Sequence, residues 1–272
     1  MADDTLLQSL RSRLPDEFSR DALNSALQVL DQPENKMRAH QFAGTLRELI
    51  AHILSVMAPT EAVTRCAWYK QEKDVEGPTR RQRALYTCRG GLSDAFLKDK
   101  LKLNPKNLHR EFSNSFQQLN KRTHVRPDTV LADPDKIEEF ANDGISALLD
   151  VFETMDEVHK SITDAIVKEL HGEAMSAFIN ETIQELDEIA GRYETGSVWV
   201  DEAKVIFLGA DTIEYQVKGS VDVTLHYGGR SNPTEIDESF PYECTTTAPA
   251  LDPTRFDSSQ TTMTVDTSSW RQ

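Results

Sequence analysis

The sequence predicts an α+β protein: a mainly helical, bundle-like domain followed by a small antiparallel β-meander. Apolar residues recur every three or four positions through residues 1–192, which is the period of helices with one buried face. Between residues 196 and 248 the period changes to two, which is typical of strands. Residues 249–272 are rich in Ser, Thr, Asp and Gln, a composition that favours a disordered tail.

Three helices are predicted before Pro59, because each stretch places its apolar residues on one face. These faces are Leu6, Leu7, Leu10 and Leu14; Phe18, Ala22, Ala26, Leu27 and Leu30; and Met37, Phe42, Leu46, Leu49, Ile50, Ile53 and Leu54. We expect the three faces to pack on one another, and Pro59 to end the third helix.

Shorter helices are predicted next, near residues 79–86 and 93–100, with Gly90-Gly91 between them. Asn104-Pro105 has the pattern of a helix start, and the helix that follows should stop before Pro127. A long helical region begins near Asp133, where apolar residues keep the helical period to Leu170.

Four strands are predicted at residues 205–208, 213–217, 221–227 and 240–244. Asp211-Thr212 and Gly219-Ser220 are the predicted turns between them. A meander of this size is too small to be stable alone, so we expect it to pack on the helical part.

Half of the basic residues form one island at residues 65–126. This segment has 15 of the chain's 30 Lys and Arg residues against 6 acidic residues, whereas the whole chain has a net charge of −15. A positive island on an acidic protein predicts a polyanionic partner, with nucleic acid as the first candidate. The alternative is a solvated basic surface, or one that docks on an acidic protein surface.

The bulk composition, with 38% hydrophobic and 28% charged residues, is that of an ordinary soluble protein. No apolar run approaches the ~20 residues that span a bilayer, and the first residues are acidic rather than basic. We therefore expect a cytoplasmic protein with no membrane partner. The three cysteines are widely spaced, which favours reduced thiols.

The segment around His124 has the residue types of a catalytic site. Asn120 and His124 are four residues apart, hence on one helical face, and His suits proton transfer near neutral pH. Arg122 and Arg126 can hold a phosphate or stabilise its transition state. This set suits metal-independent cleavage of RNA; the alternative is a helix end whose cations complement the dipole.

Other basic and aromatic residues of the island are candidates for nucleic-acid binding, because bases stack on aromatic rings and phosphates pair with cations. They are Trp68, Tyr69, Lys70, Lys73, Arg80, Arg81, Arg83 and Lys121. The alternative is that the aromatic residues belong to the core and the arginines pair with acidic helices.

Metal-ligand spacings are missing from the sequence, so we predict no metal site and no cofactor, with Mg²⁺ or Mn²⁺ needed only if cleavage is metal-dependent. Glu202-Ala203-Lys204 is similar to the Glu-x-Lys pattern of metal-dependent nucleases. An upstream Asp on a neighbouring strand would be needed, and Asp187 and Asp201 are not well placed.

Several segments resemble the predicted nucleases associated with prokaryotic PIWI-like proteins, a bacterial family assigned to genome defence. They are CAWYKQEK at 66–73, GPTRRQR at 77–83, GGL at 90–92, LNKRTHVRP at 119–127, GSVDV at 219–223, YG at 227–228 and SFPY at 239–242. The resemblance implies cleavage of RNA or DNA in an antiphage setting, together with another defence-system protein.

The helix end at 120–124 also resembles the Arg…His motif of HEPN-type helical ribonucleases. In that motif the basic residue precedes the His by several positions on the same helix. Here Asn120 or Lys121 takes that place, and Arg122 lies only two residues before His124. This departure weakens the case for a HEPN-type mechanism.

Three functions are consistent with these observations. The first is a defence-associated nuclease subunit that acts on RNA or single-stranded DNA by phosphodiester cleavage, with the site residues above. The second is a non-catalytic nucleic-acid-binding or adaptor subunit of an antiphage complex. The third is a purely structural homo-oligomer, suggested by the long acidic helices. Loss of turnover with retained binding on His124→Ala would separate the first from the second.

Overall fold

The computed structural model describes residues 3–107, 110, 114, 116–117, 120, 131, 133–170, 178–179, 193–227, 234–266 and 268. The chain forms two compact units, Met1–Gly90 with Asn104–Lys160 and Gly91–Leu103 with Ser161–Gln272. The sequence predicted a boundary near residue 192 instead. The spacing of apolar residues marks the point where helices are followed by strands. It does not indicate which helical segments belong to the same compact unit as those strands.

The first unit is helical, as predicted. Its elements are α1 (Asp4–Ser12), α2 (Glu17–Leu30), α3 (Arg38–Met57), α4 (Thr60–Arg65), α5 (Arg80–Arg89) and the first part of α6 (Pro134–Leu170). The predicted faces of α1 and α3 supply much of the core, in which Leu10 and Phe42 are fully buried. Helix α2 buries Leu23, which the predicted face omitted, together with Ala26. The α+β prediction is therefore confirmed in its helical half.

The prediction of a buried side chain is wrong for two residues of the apolar faces. Phe18 is 63% exposed and Met37 is 47% exposed. Phe18 lies in the first turn of α2, where its ring contacts the His52 ring at a centroid distance of 4.6 Å. Met37 is the residue before α3, so the helical period does not apply to it.

Helix α5 begins where the sequence predicted it and ends three residues later. The N–H of Gln82 donates to the Thr79 hydroxyl at 3.3 Å, and the N–H of Thr79 donates to the Gln82 side chain at 2.9 Å. This reciprocal pair is a capping box, which fixes the first turn. Gly90 ends the helix with φ of 51°, a conformation that glycine adopts without strain.

The second unit contains a four-stranded antiparallel sheet in the order β1-β2-β3-β4. Its strands are β1 (Tyr193–Leu208), β2 (Thr212–Tyr227), β3 (Thr234–Pro249) and β4 (Asp257–Val265). Residues 163–168 of α6 line one pocket with residues 203–206 of β1. Helix α6 and strand β1 therefore border the same space within the second unit.

The predicted turn at Gly219-Ser220 is wrong, because both residues lie in the middle of β2. Gly219 pairs with Val200 on one side and with Tyr242 on the other. The Tyr242 ring crosses over Gly219, and its hydroxyl donates to the Trp199 carbonyl at 3.1 Å. A Cβ on residue 219 would lie 1.9 Å from that carbonyl oxygen, so the glycine marks a close approach rather than a turn.

The prediction of a disordered tail is wrong for Asp257–Val265, which forms β4. Tyr242 pairs with Val265 and Cys244 with Met263 across the β3–β4 ladder. The hydroxyl groups of Thr246 and Thr261 lie 2.8 Å apart. Threonine is a good strand former, so a Thr-rich segment folds once β3 offers it an edge to pair with.

Candidate nucleic-acid interface

The predicted catalytic set falls mostly outside the described residues. Lys121, Arg122, His124 and Arg126 lie in the segment 121–130, of which the structure describes nothing. Asn120 is described, and it is helical and exposed. The geometry of the candidate interface is therefore built from Asn120 and the residues around α5.

Asn120 and the arginines at the start of α5 line one pocket of about 450 Å³. We call it the α5 pocket; its lining residues are Glu72, Thr79, Arg80, Arg81, Phe116, Gln117 and Asn120. The two clusters that the sequence analysis selected separately, near residues 80 and 120, therefore meet at one place in the first unit.

The two arginines of the α5 pocket are held by weak surface ion pairs. Arg81 Nη2 lies 3.0 Å from Glu72 Oε1, and Arg80 Nη2 lies 3.8 Å from Glu48 Oε1. The side chains of Arg81 and Arg80 remain about two-fifths exposed, at 44% and 39%. Exposed pairs of this kind contribute at most about 1 kcal/mol, so a phosphate can replace the carboxylates at little cost.

Other residues of the α5 pocket suit a nucleotide. Phe116 is half-buried, and its ring offers an apolar surface for a base. The side-chain amides of Gln117 and Asn120 are exposed and supply hydrogen-bond donors and acceptors. The pocket combines cations, an aromatic ring and amides, which are the groups that bind single-stranded nucleic acid.

Arg83 is placed differently from its two neighbours. Its guanidinium donates to the Ala58 carbonyl and, at 2.9 Å, to the Thr60 hydroxyl. Partial burial lowers the pKa of this arginine. Ala58 is the C-terminal cap of α3, so Arg83 ties α5 to the α3–α4 junction, and it is not among the residues that line the α5 pocket.

Trp68 and Tyr69 also make contacts within the protein. The Trp68 indole N–H donates to the Gly90 carbonyl at 2.8 Å, and the Tyr69 hydroxyl donates to the Gln71 side chain. Both aromatic side chains are half-buried. Lys70 and Lys73 are exposed on the loop that leads into α5, where they are accessible to a polyanion.

Arg89 was not singled out by the sequence analysis, although the fold gives it a distinctive environment. Only 1% of its surface is exposed, and its guanidinium carbon lies 5.1 Å from the centre of the Trp68 ring. This is cation–π geometry. In the sequence, the available signal was its position between Cys88 and Gly90, at the end of the helix. The structure shows that its neighbours on α5 are mostly buried.

Glu202 and Lys204 form an ion pair of 2.6 Å on β1, and both are exposed. The hydrogen bond from Lys204 lowers the pKa of Glu202. Within the described ranges, no group of three or more His, Cys, Asp or Glu side chains is arranged to hold a metal ion.

Two family models match the chain, and both are described as predicted pPIWI-associating nuclease. The first matches residues 11–148 and the second residues 155–271. The chain belongs to the predicted pPIWI-associating nuclease family. The resemblance seen in the sequence between residues 65 and 242 is thus confirmed, and it extends to nearly the whole chain.

The boundary between the two family models lies near one boundary between the compact units, although Gly91–Leu103 of the second unit fall in the first model. The gap between the two models, at residues 149–154, lies inside α6, the same helix in which the chain passes from the first compact unit to the second. The α5 pocket belongs to the first model and the whole sheet to the second.

No curated protein and no solved structure matches the chain. In the described part of the chain, no helix is both long and apolar enough to cross a membrane.

Proposed function

We propose that the chain is a defence-associated nuclease subunit that cleaves RNA or single-stranded DNA beside the α5 pocket. One observation carries the proposal: Arg80 and Arg81 line the same pocket as Asn120, the residue that begins the segment with His124. The basic island supports it with a net positive charge on an acidic chain. The family description supports it with the words predicted nuclease.

In this proposal the residues of the α5 pocket bind the nucleic acid, and residues that follow Asn120 in the sequence carry out the cleavage. Arg80 and Arg81 hold a backbone phosphate, while Phe116 stacks on a base. Asn120 orients the scissile phosphate by hydrogen bonds from its amide. His124 exchanges a proton with the attacking or leaving oxygen, and Arg122 and Arg126 stabilise the charge that develops on the phosphate.

The second group of cations extends the binding track. Lys70, Lys73 and Lys121 contact phosphates on either side of the cleaved bond, without reading the base sequence. Arg83 supports α5 from within the protein through Ala58 and Thr60. The mechanism needs no metal ion if His124 carries the proton transfer.

The deciding experiment is cleavage of labelled single-stranded RNA and DNA by the wild-type protein and by His124→Ala, in EDTA and in Mg²⁺ or Mn²⁺. Cleavage in EDTA that falls by about 10²–10⁴-fold in the variant, with retained binding, supports the proposal. Cleavage that needs a metal, and that His124→Ala leaves unchanged, overturns the catalytic assignment.

The role of the α5 pocket has its own test. Asn120→Ala should lower turnover by about 10²-fold, as expected for loss of one positioning donor, and should leave affinity within a few-fold. Asn114→Ala is the matched control, because Asn114 is also helical and exposed and does not line the pocket. Equal effects of the two substitutions would contradict the proposed role of Asn120.

A second candidate function is a non-catalytic adaptor that binds nucleic acid for a partner protein. The family description favours it in one respect, since it names an association with pPIWI proteins. An adaptor binds nucleic acid with strong salt dependence and cleaves nothing, with or without the partner added. The addition of a purified pPIWI partner to the cleavage assay therefore separates an adaptor from a nuclease that needs activation.

A further inference from the structure

A buried arginine at the start of α3 has no role in the function proposed above. Arg38 is only 7% exposed, which puts it among the few charged residues of the protein core. Among the described residues, its guanidinium makes no hydrogen bond and no ion pair. Arginine is rarely buried to this extent unless it is paired.

The position of Arg38 in its helix is also unfavourable. It is the first residue of α3, a helix of 20 residues with no acidic residue in its first turn. The N-terminus of a helix carries a partial positive charge, which repels a cation. A residue that breaks both the burial rule and the dipole rule is more readily explained by function than by stability.

Arg38 lines a pocket of about 540 Å³ within the first unit, formed by α1, the end of α2, the loop before α3 and the start of α6. This volume is in the range of small-molecule sites. Leucine, isoleucine, proline and alanine side chains from α1, α2 and α6 form its apolar walls. Beside the pocket, the Asp3 N–H donates to Asn142 Oδ1 at 2.8 Å and links the start of α1 to α6.

The charged residues around Arg38 define the ligand. Arg11 also lines this pocket, so two arginines border the same space, and an anionic group is the ligand that arginines pair with best. Asp4, Asp31 and Glu138 bring carboxylates, which accept hydrogen bonds from hydroxyl or amino groups. The pocket thus combines an anion site, apolar walls and hydrogen-bond acceptors.

We propose that this pocket binds a small organic anion: a phosphate ester or a carboxylate on a compact body that carries hydroxyl or amino groups. Arg38 binds the anionic group with its planar fork of donors, and Arg11 closes over it from α1. The pocket shares no residue with the α5 pocket. The proposal therefore stands or falls independently of nuclease activity.

The test uses three probes on the full chain: adenosine monophosphate, salicylate and adenosine. Either anion should raise the Tm of the wild type and bind in titration calorimetry, because ligand that binds the folded state stabilises it. A response to adenosine monophosphate assigns a phosphate and a response to salicylate assigns a carboxylate. Binding of neither anion, or binding of adenosine as tight as that of its monophosphate, overturns the proposal.

The variant Arg38→Gln should weaken binding of the responding anion by about ten- to a hundredfold, as expected for loss of charge-assisted hydrogen bonds. Its Tm without ligand should stay close to that of the wild type, since the substitution removes no hydrogen bond or ion pair to a described residue. Arg20→Gln is the control, because Arg20 is an exposed arginine of α2 that does not line the pocket.

A lower Tm of free Arg38→Gln together with unchanged anion binding would overturn the proposal and assign Arg38 a structural role. Arg38→Lys and Arg11→Gln keep the test decisive if Arg38→Gln fails to fold. Arg38→Lys retains the charge and loses the fork, and Arg11 is exposed, so both should fold and bind the anion more weakly. Full anion binding by both variants would contradict the proposal.

Discussion

Four arginines on α5 have three different environments, although they share one helix of ten residues. Arg80 and Arg81 lie at an exposed pocket with loose ion pairs. Arg83 donates hydrogen bonds to Ala58 and Thr60, and Arg89 is buried with its guanidinium over the Trp68 ring. The residue type alone cannot distinguish them, because the difference lies in what faces each guanidinium.

We predict that Arg83→Gln lowers the free energy of unfolding by about 1–3 kcal/mol, because it removes hydrogen bonds from a charged donor to the α3–α4 junction. Arg80→Gln should change it by less than about 1 kcal/mol, since the Arg80–Glu48 pair is long and exposed. Urea denaturation of both variants gives the comparison. Equal destabilisation by the two substitutions would contradict the structural role of Arg83.

Asp16 gives the protein a defined acid sensitivity. It caps α2 and also lies 2.7 Å from His52 Nε2. Hydrogen bonds from the side chain and backbone of Ser19 and from His52 lower the pKa of Asp16 to about 2. The pKa of an aspartate in the unfolded chain is about 3.9. The stabilisation of the folded state by ionised Asp16 is therefore complete above about pH 4 and is lost as the pH falls through about 2.

We therefore expect the difference in stability between the wild type and Asp16→Asn to shrink as the pH falls from about 4 to about 2. Asparagine can still cap the helix, so the charge is the main change. Unfolding free energies from urea titrations at a series of pH values provide the measurement. Asp21→Asn, at an exposed position on the same helix, is the control for the loss of a carboxylate.

The three cysteines are free and buried in the folded protein. Burial raises the pKa of the Cys88 thiol to about 12 and that of Cys244 to about 11. Cys88 also donates a hydrogen bond to the Met155 carbonyl at 3.3 Å. At neutral pH both thiols are protonated and inert, which is the behaviour of core residues.

Two glycines illustrate how an element decides the meaning of a residue. Gly44 lies within α3, and a Cβ there would meet nothing within 4 Å. Gly219 lies in β2, where a Cβ would collide with the Trp199 carbonyl and with the Tyr242 hydroxyl. The helix thus has room for a methyl group and the sheet does not.

We predict that Gly44→Ala raises the free energy of unfolding by about 1 kcal/mol, because alanine restricts the unfolded chain and favours the helix. Gly219→Ala should lower it by about 1–3 kcal/mol, since the new methyl group displaces Tyr242 from its bond to Trp199. Chemical denaturation of the two variants tests the opposite signs. Two changes of the same sign would contradict this account of the sheet.

Strand β4 shows the limit of composition as a guide to an element. Its residues are mostly polar and exposed, so they bury too little apolar surface to order the segment alone. Pairing with β3 supplies the missing stabilisation through the backbone ladder. Composition reports on the segment in isolation, and β4 is ordered by the strand beside it.

At the scale of the whole molecule, the charge distribution determines which surface can attract a polyanion. The chain has a net charge of −15, and half of its basic residues lie in the island at 65–126. An acidic protein repels nucleic acid except where such an island neutralises phosphates. Binding should therefore depend on the exposed cations of the island, with a strong response to salt.

We predict that replacing Lys70 and Lys73 together with Gln reduces the slope of log affinity against log salt by up to about 1.4 for single-stranded nucleic acid, or ~0.7 for each phosphate that the variant no longer neutralises. The matched control replaces Lys136 and Lys168, two exposed lysines of α6 outside the island. Fluorescence anisotropy over a range of salt concentrations measures both slopes. An equal reduction in the control would show that overall charge, rather than the island, governs binding.

The sequence by itself determined the features that depend on neighbours along the chain. These are the helical and strand periods, the long helical region that begins near Asp133 and the basic island, each of which can be read from residues that are close in the sequence. The family resemblance also came from contiguous motifs. All of these rest on short-range chemistry, which a linear pattern contains in full.

Only the tertiary structure decided which distant residues meet. It brought Asn120 to Arg80 and Arg81, turned Arg83 toward Ala58, and left Arg38 buried in a pocket. Contacts of this kind join residues tens of positions apart, and the pattern around either residue contains no trace of the other. The fold class could therefore be predicted from the sequence. The different environments of the arginines could not, because they depend on how the helices pack.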